Sequence, residues 1–123
     1  MGYTLIVEDS ATERSIISGY LQEVGINVSV ALSGEEALEK IQQDFPDLIL
    51  LDVVLPGRSG FEICRQLKGS ENTNQIPIIL CSTKDTDMDK FWGMKQGADA
   101  YIPKPVDKEE LVDKVKELID RAN

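Results

Sequence analysis

Two apolar runs in this chain end in carboxylates. Glu8 and Asp9 close Leu5-Ile6-Val7, and Asp52 closes Leu48-Ile49-Leu50-Leu51. A carboxylate at the end of a buried strand is costly unless something there uses its charge. Grouped together, such carboxylates also repel one another. A hard divalent cation relieves that repulsion, and Mg²⁺ suits one or two carboxylates completed by waters and phosphate oxygens. One carboxylate can attack phosphorus and form an aspartyl phosphate. The metal and a nearby ammonium then neutralise charge on the transferring group. Two more apolar runs supply the remaining parts. Ile78-Ile79-Leu80-Cys81 leads into Ser82-Thr83, whose hydroxyls can serve a phosphoryl oxygen. Tyr101-Ile102-Pro103-Lys104-Pro105 carries the ammonium, and Pro105 keeps Lys104 out of a helix.

Those residues need strands and helices to bring them together. Short apolar runs alternate with amphipathic segments along the whole chain. The pattern predicts strands near 3–8, 27–31, 47–52, 76–81 and 99–102, and helices near 11–24, 34–44, 59–69, 86–96 and 107–121. Ser10-Ala11-Thr12-Glu13 and Ser33-Gly34-Glu35-Glu36 read as capping boxes, and Asp107 caps the last helix. Gly25, Gly69 and Gly97 stand where left-handed C-terminal caps belong. Strict alternation with apolar central strands predicts an α/β fold, a doubly wound parallel sheet covered on both faces. In the flavodoxin-like order 2-1-3-4-5, ligands bind beyond the carboxyl ends of strands one and three. Those strands end in Glu8-Asp9 and Asp52.

The chain has 123 residues, enough for one domain with a core, and residues 1–123 read as a single domain with no output domain attached. No apolar stretch is long enough to span a bilayer, and no secretory signal is visible, so a cytoplasmic location is expected. Cys64 and Cys81 lie in apolar helix and strand contexts and read as reduced core thiols. The net charge of −9 argues against nucleic-acid binding. With no histidine, a Ser-His-Asp triad and a His-ligated zinc site are both excluded, and any phosphohistidine must come from a partner.

The set Glu8-Asp9, Asp52, Ser82 and Lys104, with Pro56 and Gly60 after Asp52, resembles the receiver domain of two-component response regulators. The resemblance covers the whole chain. It implies that Asp52 is the phosphoacceptor, taking its phosphoryl group from a histidine kinase in a Mg²⁺-dependent reaction. Asp9 would hold the ion directly, Glu8 through water, and Val54 through its backbone carbonyl. Lys104 would contact the phosphoryl group, Ser82 would move toward it, and Tyr101 would follow Ser82. The stretches 55–61 and 88–99 resemble, more narrowly, stand-alone receivers of chemotaxis-type systems that control pilus motility or phototaxis. Three positions depart from the usual pattern. Thr83 is bulkier than the usual Ala or Gly. Val54 is apolar where fast-hydrolysing relatives are polar, and Lys84 is cationic where the chemotaxis receiver is acidic. All three are expected to tune hydrolysis, with Val54 lengthening the phosphoryl lifetime.

Plainer readings exist for each residue. Glu8-Asp9 can be an acidic flank favoured by the dipole of the first helix. Lys104 can be a solvated loop lysine, Ser82-Thr83 a strand-end pair, and Tyr101 an edge aromatic. Phe91, Trp92 and Met94 can be core, although three large groups within four residues cannot all face one way on a helix. At least one should be exposed, so Phe91, Trp92, Lys95 and Tyr101 are candidates for a partner surface. The downstream target is not legible, and a monomer or a weak dimer is expected. Competing functions are a phosphate sink, a phosphorylation-independent adaptor and a haloacid-dehalogenase-type phosphatase. The last needs an acid/base Asp where Val54 stands. The leading reading is no enzyme toward external metabolites; its chemistry is its own phosphorylation and slow dephosphorylation.

Overall fold

The structure is a computed structural model that describes residues 2–122. Strands and helices alternate as β1 (Thr4–Val7), α1 (Ala11–Glu23), β2 (Val28–Ala31), α2 (Gly34–Gln43), β3 (Leu48–Asp52), α3 (Gly60–Lys68), β4 (Ile78–Ser82), α4 (Asp87–Lys95), β5 (Ala100–Pro103) and α5 (Lys108–Ala122). The five strands pair in parallel in the order β2-β1-β3-β4-β5. This is the expected flavodoxin-like topology, and each element falls within a few residues of its expected bounds.

Strand alternation divides the core in two. Leu5, Val7, Ile49, Leu51, Ile78 and Leu80 face α2 and α3, meeting Ala37, Ile41, Ile63 and Leu67. Ile6, Leu48, Leu50, Ile79 and Ile102 face α1 and α5, meeting Ile17, Leu21, Leu111 and Val115. Cys64 belongs to the first layer and Cys81 to the second, so the sheet lies between them and both are free buried thiols.

Several local expectations need correction. Ser10 and Ser33 do cap α1 and α2, accepting from the N–H groups of Glu13 and Glu36. Neither box closes, because Glu36 turns to the Leu32 N–H while Glu13 turns to Lys104. The reciprocal box sits instead at α4, between Thr86 and Asp89. Gly25 and Gly97 are left-handed, with φ of 81° and 102°, but Gly69 has φ −87° and ends α3 in right-handed geometry. Phe91, Trp92 and Met94 are not core. They are 60 %, 51 % and 47 % exposed, and the one buried residue of α4 is Gly93.

Candidate functional site

Alternation carried two residues past Ile6, Leu50 and Ile102 points Glu8, Asp52 and Lys104 to the α1/α5 side of the sheet. β1 and β3 end side by side at the switch in strand order, and Lys104 reaches them from beyond the edge strand β5, across the end of β4, so the three side chains meet. The Lys104 ammonium lies 2.5 Å from Glu8 Oε1 and 3.3 Å from Asp52 Oδ2. From the first turn of α1, Glu13 adds a third carboxylate, with Oε2 at 2.9 Å. The side chains of Lys104, Glu8 and Asp52 are 6 %, 3 % and 8 % exposed, whereas Glu13 is 39 % exposed. The Lys104–Pro105 peptide that follows is cis.

The surrounding backbone fixes the acidic groups. The Val54 N–H donates to Asp52 Oδ1 at 3.2 Å, and the Ser10 N–H donates to Glu8 Oε2 at 3.1 Å. Arg14 donates to the Glu8 carbonyl. Gly60 closes the loop after Asp52: its N–H donates to the Val53 carbonyl, and a Cβ there would fall 2.1 Å from the Asp52 carbonyl oxygen. Only glycine allows that approach, which explains the glycine eight residues after the nucleophile candidate.

Burial pushes the Glu8 carboxyl above its usual range; hydrogen bonds from Lys104 and the Ser10 N–H oppose this, and the Asp52 charge adds to it. Burial pulls Lys104 down, but hydrogen bonds to Glu13 and Glu8 and the charge of Asp52 outweigh it and hold the ammonium above the usual lysine range. Three carboxyl groups therefore face one ammonium. One oxygen from each of Glu8, Glu13 and Asp52 lies within 4.8 Å of the others. Oxygen donors of this kind suit a hard divalent cation; these three close on the Lys104 ammonium, so a cation held by Glu8 and Asp52 would sit beside the lysine and not among all three.

The expected site residues are only partly brought together. Glu8, Asp52 and Lys104 converge, whereas Asp9 is exposed and lies outside that close group. Ser82 is buried at the end of β4 and its Oγ accepts the Lys84 N–H at 3.0 Å. The Tyr101 hydroxyl donates to the Lys84 carbonyl, so Ser82 and Tyr101 grip one loop residue from two strands. Thr83 and Lys84 are exposed, and Val54 is 56 % exposed beside Asp52. Lys95 lies at the limit of cation–π reach, 6.0 Å from the Phe91 ring centroid. Glu13 is the site residue that the sequence reading missed. Its place three residues after Ser10 looked like half of a capping box.

The model of the response regulator receiver domain matches residues 4–116. The chain belongs to the response regulator receiver family. Protein PilH of Pseudomonas aeruginosa is 42 % identical over 112 residues, covering 91 % of this chain and 93 % of PilH. Transcriptional regulatory protein AfsQ1 of Streptomyces coelicolor is 38 % identical over 118 residues; these cover 96 % of this chain but 51 % of AfsQ1, so the chain spans about half of that relative. The crystal structure of Vibrio cholerae chemotaxis protein CheY4 superposes with a TM-score of 0.88 at 31 % identity, covering 96 % of this chain and 98 % of that one. Receiver domains bind Mg²⁺ in an acidic pocket, and this receiver carries an acidic group of Glu8, Glu13 and Asp52. No helix among the described residues is long and apolar enough to cross a membrane.

Proposed function

We propose that the chain is a phosphorylation-controlled switch in which Asp52 accepts a phosphoryl group from a histidine kinase. The observation that carries this reading is the Lys104 ammonium shared by Glu8, Glu13 and Asp52 at the switch in strand order. Asp52 supplies the nucleophilic oxygen. The Val54 N–H holds Oδ1, leaving Oδ2 toward Lys104. Attack by a carboxylate oxygen forms the new oxygen–phosphorus bond as the bond to the donor breaks. Lys104 neutralises negative charge on the transferred group from a fixed position. Asp9, Glu8, Asp52 and the Val54 carbonyl would hold Mg²⁺, which supplies further neutralisation of phosphoryl charge when bound.

The response then passes to β4 and β5. A phosphoryl oxygen attracts the Ser82 O–H, whose oxygen accepts from the Lys84 N–H, so movement of Ser82 toward the phosphoryl group pulls on that contact. That loosens the loop Tyr101 also holds, and it shifts an existing equilibrium at α4, β5 and α5. Phe91, Trp92, Lys95 and Tyr101 form the surface a downstream protein reads. From the stretches 55–61 and 88–99 we place the chain with receivers of pilus-motility or phototaxis systems, a reading in keeping with its 42 % identity to PilH, and we place it in the cytoplasm. It modifies itself and turns over no external metabolite.

Incubation with acetyl phosphate and Mg²⁺ tests the reading. Wild type should gain one phosphoryl group on Asp52, seen by mass spectrometry after borohydride trapping, and Asp52→Asn should gain none. Equal labelling of both proteins, or of neither, defeats it.

A further inference from the structure

We propose that Glu13 is a positioning residue that restrains Lys104 before phosphorylation and is the partner Lys104 releases when Asp52 carries a phosphoryl group. The inference rests on the phosphorylation of Asp52 proposed above. An ammonium has three N–H donors. In this structure three carboxylates surround it, Glu8 at 2.5 Å, Glu13 at 2.9 Å and Asp52 at 3.3 Å. Only Glu8 and Glu13 accept hydrogen bonds from it, while Asp52 is an ion-pair contact outside hydrogen-bond geometry. Drawing Lys104 onto a phosphoryl oxygen at Asp52 pulls it against those two bonds, and one of them must give.

Exposure decides which one. Glu8 is 3 % exposed, so losing Lys104 would strand a buried carboxylate without its counter-charge, the expensive way to break an ion pair. Glu13 is 39 % exposed, so water replaces the lysine at little cost. Asp52 carries the modification itself. The Glu13 arm is the one that opens. Glu13 sits at the third position of α1, where its backbone N–H is held by Ser10, so the helix start survives the release. The side chain is then free on the α1 face, next to the phosphoryl site. In the resting protein Glu13 draws Lys104 away from Asp52, and the Asp52 contact is the longest of the three.

Beryllofluoride with Mg²⁺, a mimic of the phosphoryl group, provides the test on the full chain. Glu13→Gln keeps the length of the side chain and removes its charge. It should bind beryllofluoride about fivefold more tightly than wild type, the size of a half-exposed ion pair. The same substitution in a Lys104→Met background should change affinity little, because Glu13 acts through the lysine. A gain that persists without Lys104 is a through-space charge effect and overturns the proposal. Should Lys104→Met fail to fold or bind, NMR of the Lys104 ammonium in metal-free protein decides instead. Its hydrogens should exchange faster in Glu13→Gln, and unchanged exchange overturns the proposal. Wild type that binds beryllofluoride with the same affinity as Glu13→Gln defeats this inference alone; wild type that binds none defeats the receiver chemistry with it.

Discussion

Thr4 lies fully buried in β1, and its hydroxyl has no hydrogen-bond partner among the described residues. A buried hydroxyl without a partner carries a desolvation cost that an isosteric methyl does not. Thr4→Val should therefore stabilise the fold by about 1 kcal/mol, read as a higher denaturant midpoint at unchanged slope. Loss of stability would mean that the hydroxyl is satisfied in solution. Val54 is expected to bear on lifetime rather than stability. Its side chain is 56 % exposed while its N–H holds Asp52, so an apolar surface stands beside the phosphoryl position where a polar one could orient water. Val54→Asn should shorten the half-life of phosphorylated Asp52 several-fold in a decay assay; an equal or longer half-life removes Val54 from hydrolysis control. At this scale the sequence was partly readable. Glu8, Asp52 and Lys104 were visible because each ends or follows an apolar run, and alternation then sends them to one side. Glu13 was hidden because its role depends on how α1 is rotated against the sheet, and local capping logic assigned its carboxylate elsewhere. Asp9 and Glu8 also differ more than adjacency suggests: the turn into α1 leaves Asp9 in solvent and buries Glu8.

The helices differ sharply in how they are attached. α5 buries Leu111, Val112, Val115 and Leu118, whereas α4 buries Gly93 alone and exposes Met88, Phe91, Trp92 and Met94. An element with little buried apolar surface opens at low cost, and switching elements come from that end of the stability range. Gly93 is what brings α4 close to the sheet. A Cβ there would stand 2.9 Å from both Leu80 Cδ1 and Tyr101 Cδ2. Alanine is the better helix former by about 1 kcal/mol, but the crowding must push α4 or the Tyr101 ring outward. Gly93→Ala should speed amide exchange across α4 at least about tenfold while β3 amides stay protected. Exchange unchanged in α4 would show that the contact yields without moving the helix. Element type and order were legible because short continuous apolar runs and helical apolar spacing do not overlap in this chain. The exposure of α4 was legible only as a lower bound: spacing shows that its three large residues cannot share one face, but not that the sheet contact would be made by a glycine.

Across the molecule, apart from the raised Glu8 carboxyl, the groups shifted by burial and ion pairing act at alkaline pH. The chain has no histidine, the side chain that ordinarily titrates near neutrality. Burial pushes the Cys64 thiol from 9.0 up to about 11, with Lys68 opposing and Asp99 adding, and the thiol donates to the Gln96 carbonyl. Burial drives Cys81 higher still, and it also raises Tyr3 and Tyr101. Each of these groups keeps its proton in the folded state after the unfolded chain has lost it. The folded state then binds more protons than the unfolded state, and stability falls as pH rises. For Cys64 the window opens at 9.0 and closes at about 11. Within it each fully shifted thiol costs up to about 1.4 kcal/mol per pH unit. Lys104 follows the same direction but later. Its ion pairs stabilise fully below the ordinary lysine value of 10.5 and are lost only as pH rises through its higher folded value. Under reducing conditions the melting temperature should hold nearly level from about pH 7 to 8.5 and fall steeply above 9, by the sign of this linkage. Cys64→Ala should melt lower at neutral pH, for lost packing, yet fall less steeply between pH 9 and about 11. An equal slope in the two proteins would exclude Cys64 from the alkaline transition and leave it to Cys81, Tyr3, Tyr101 and Lys104.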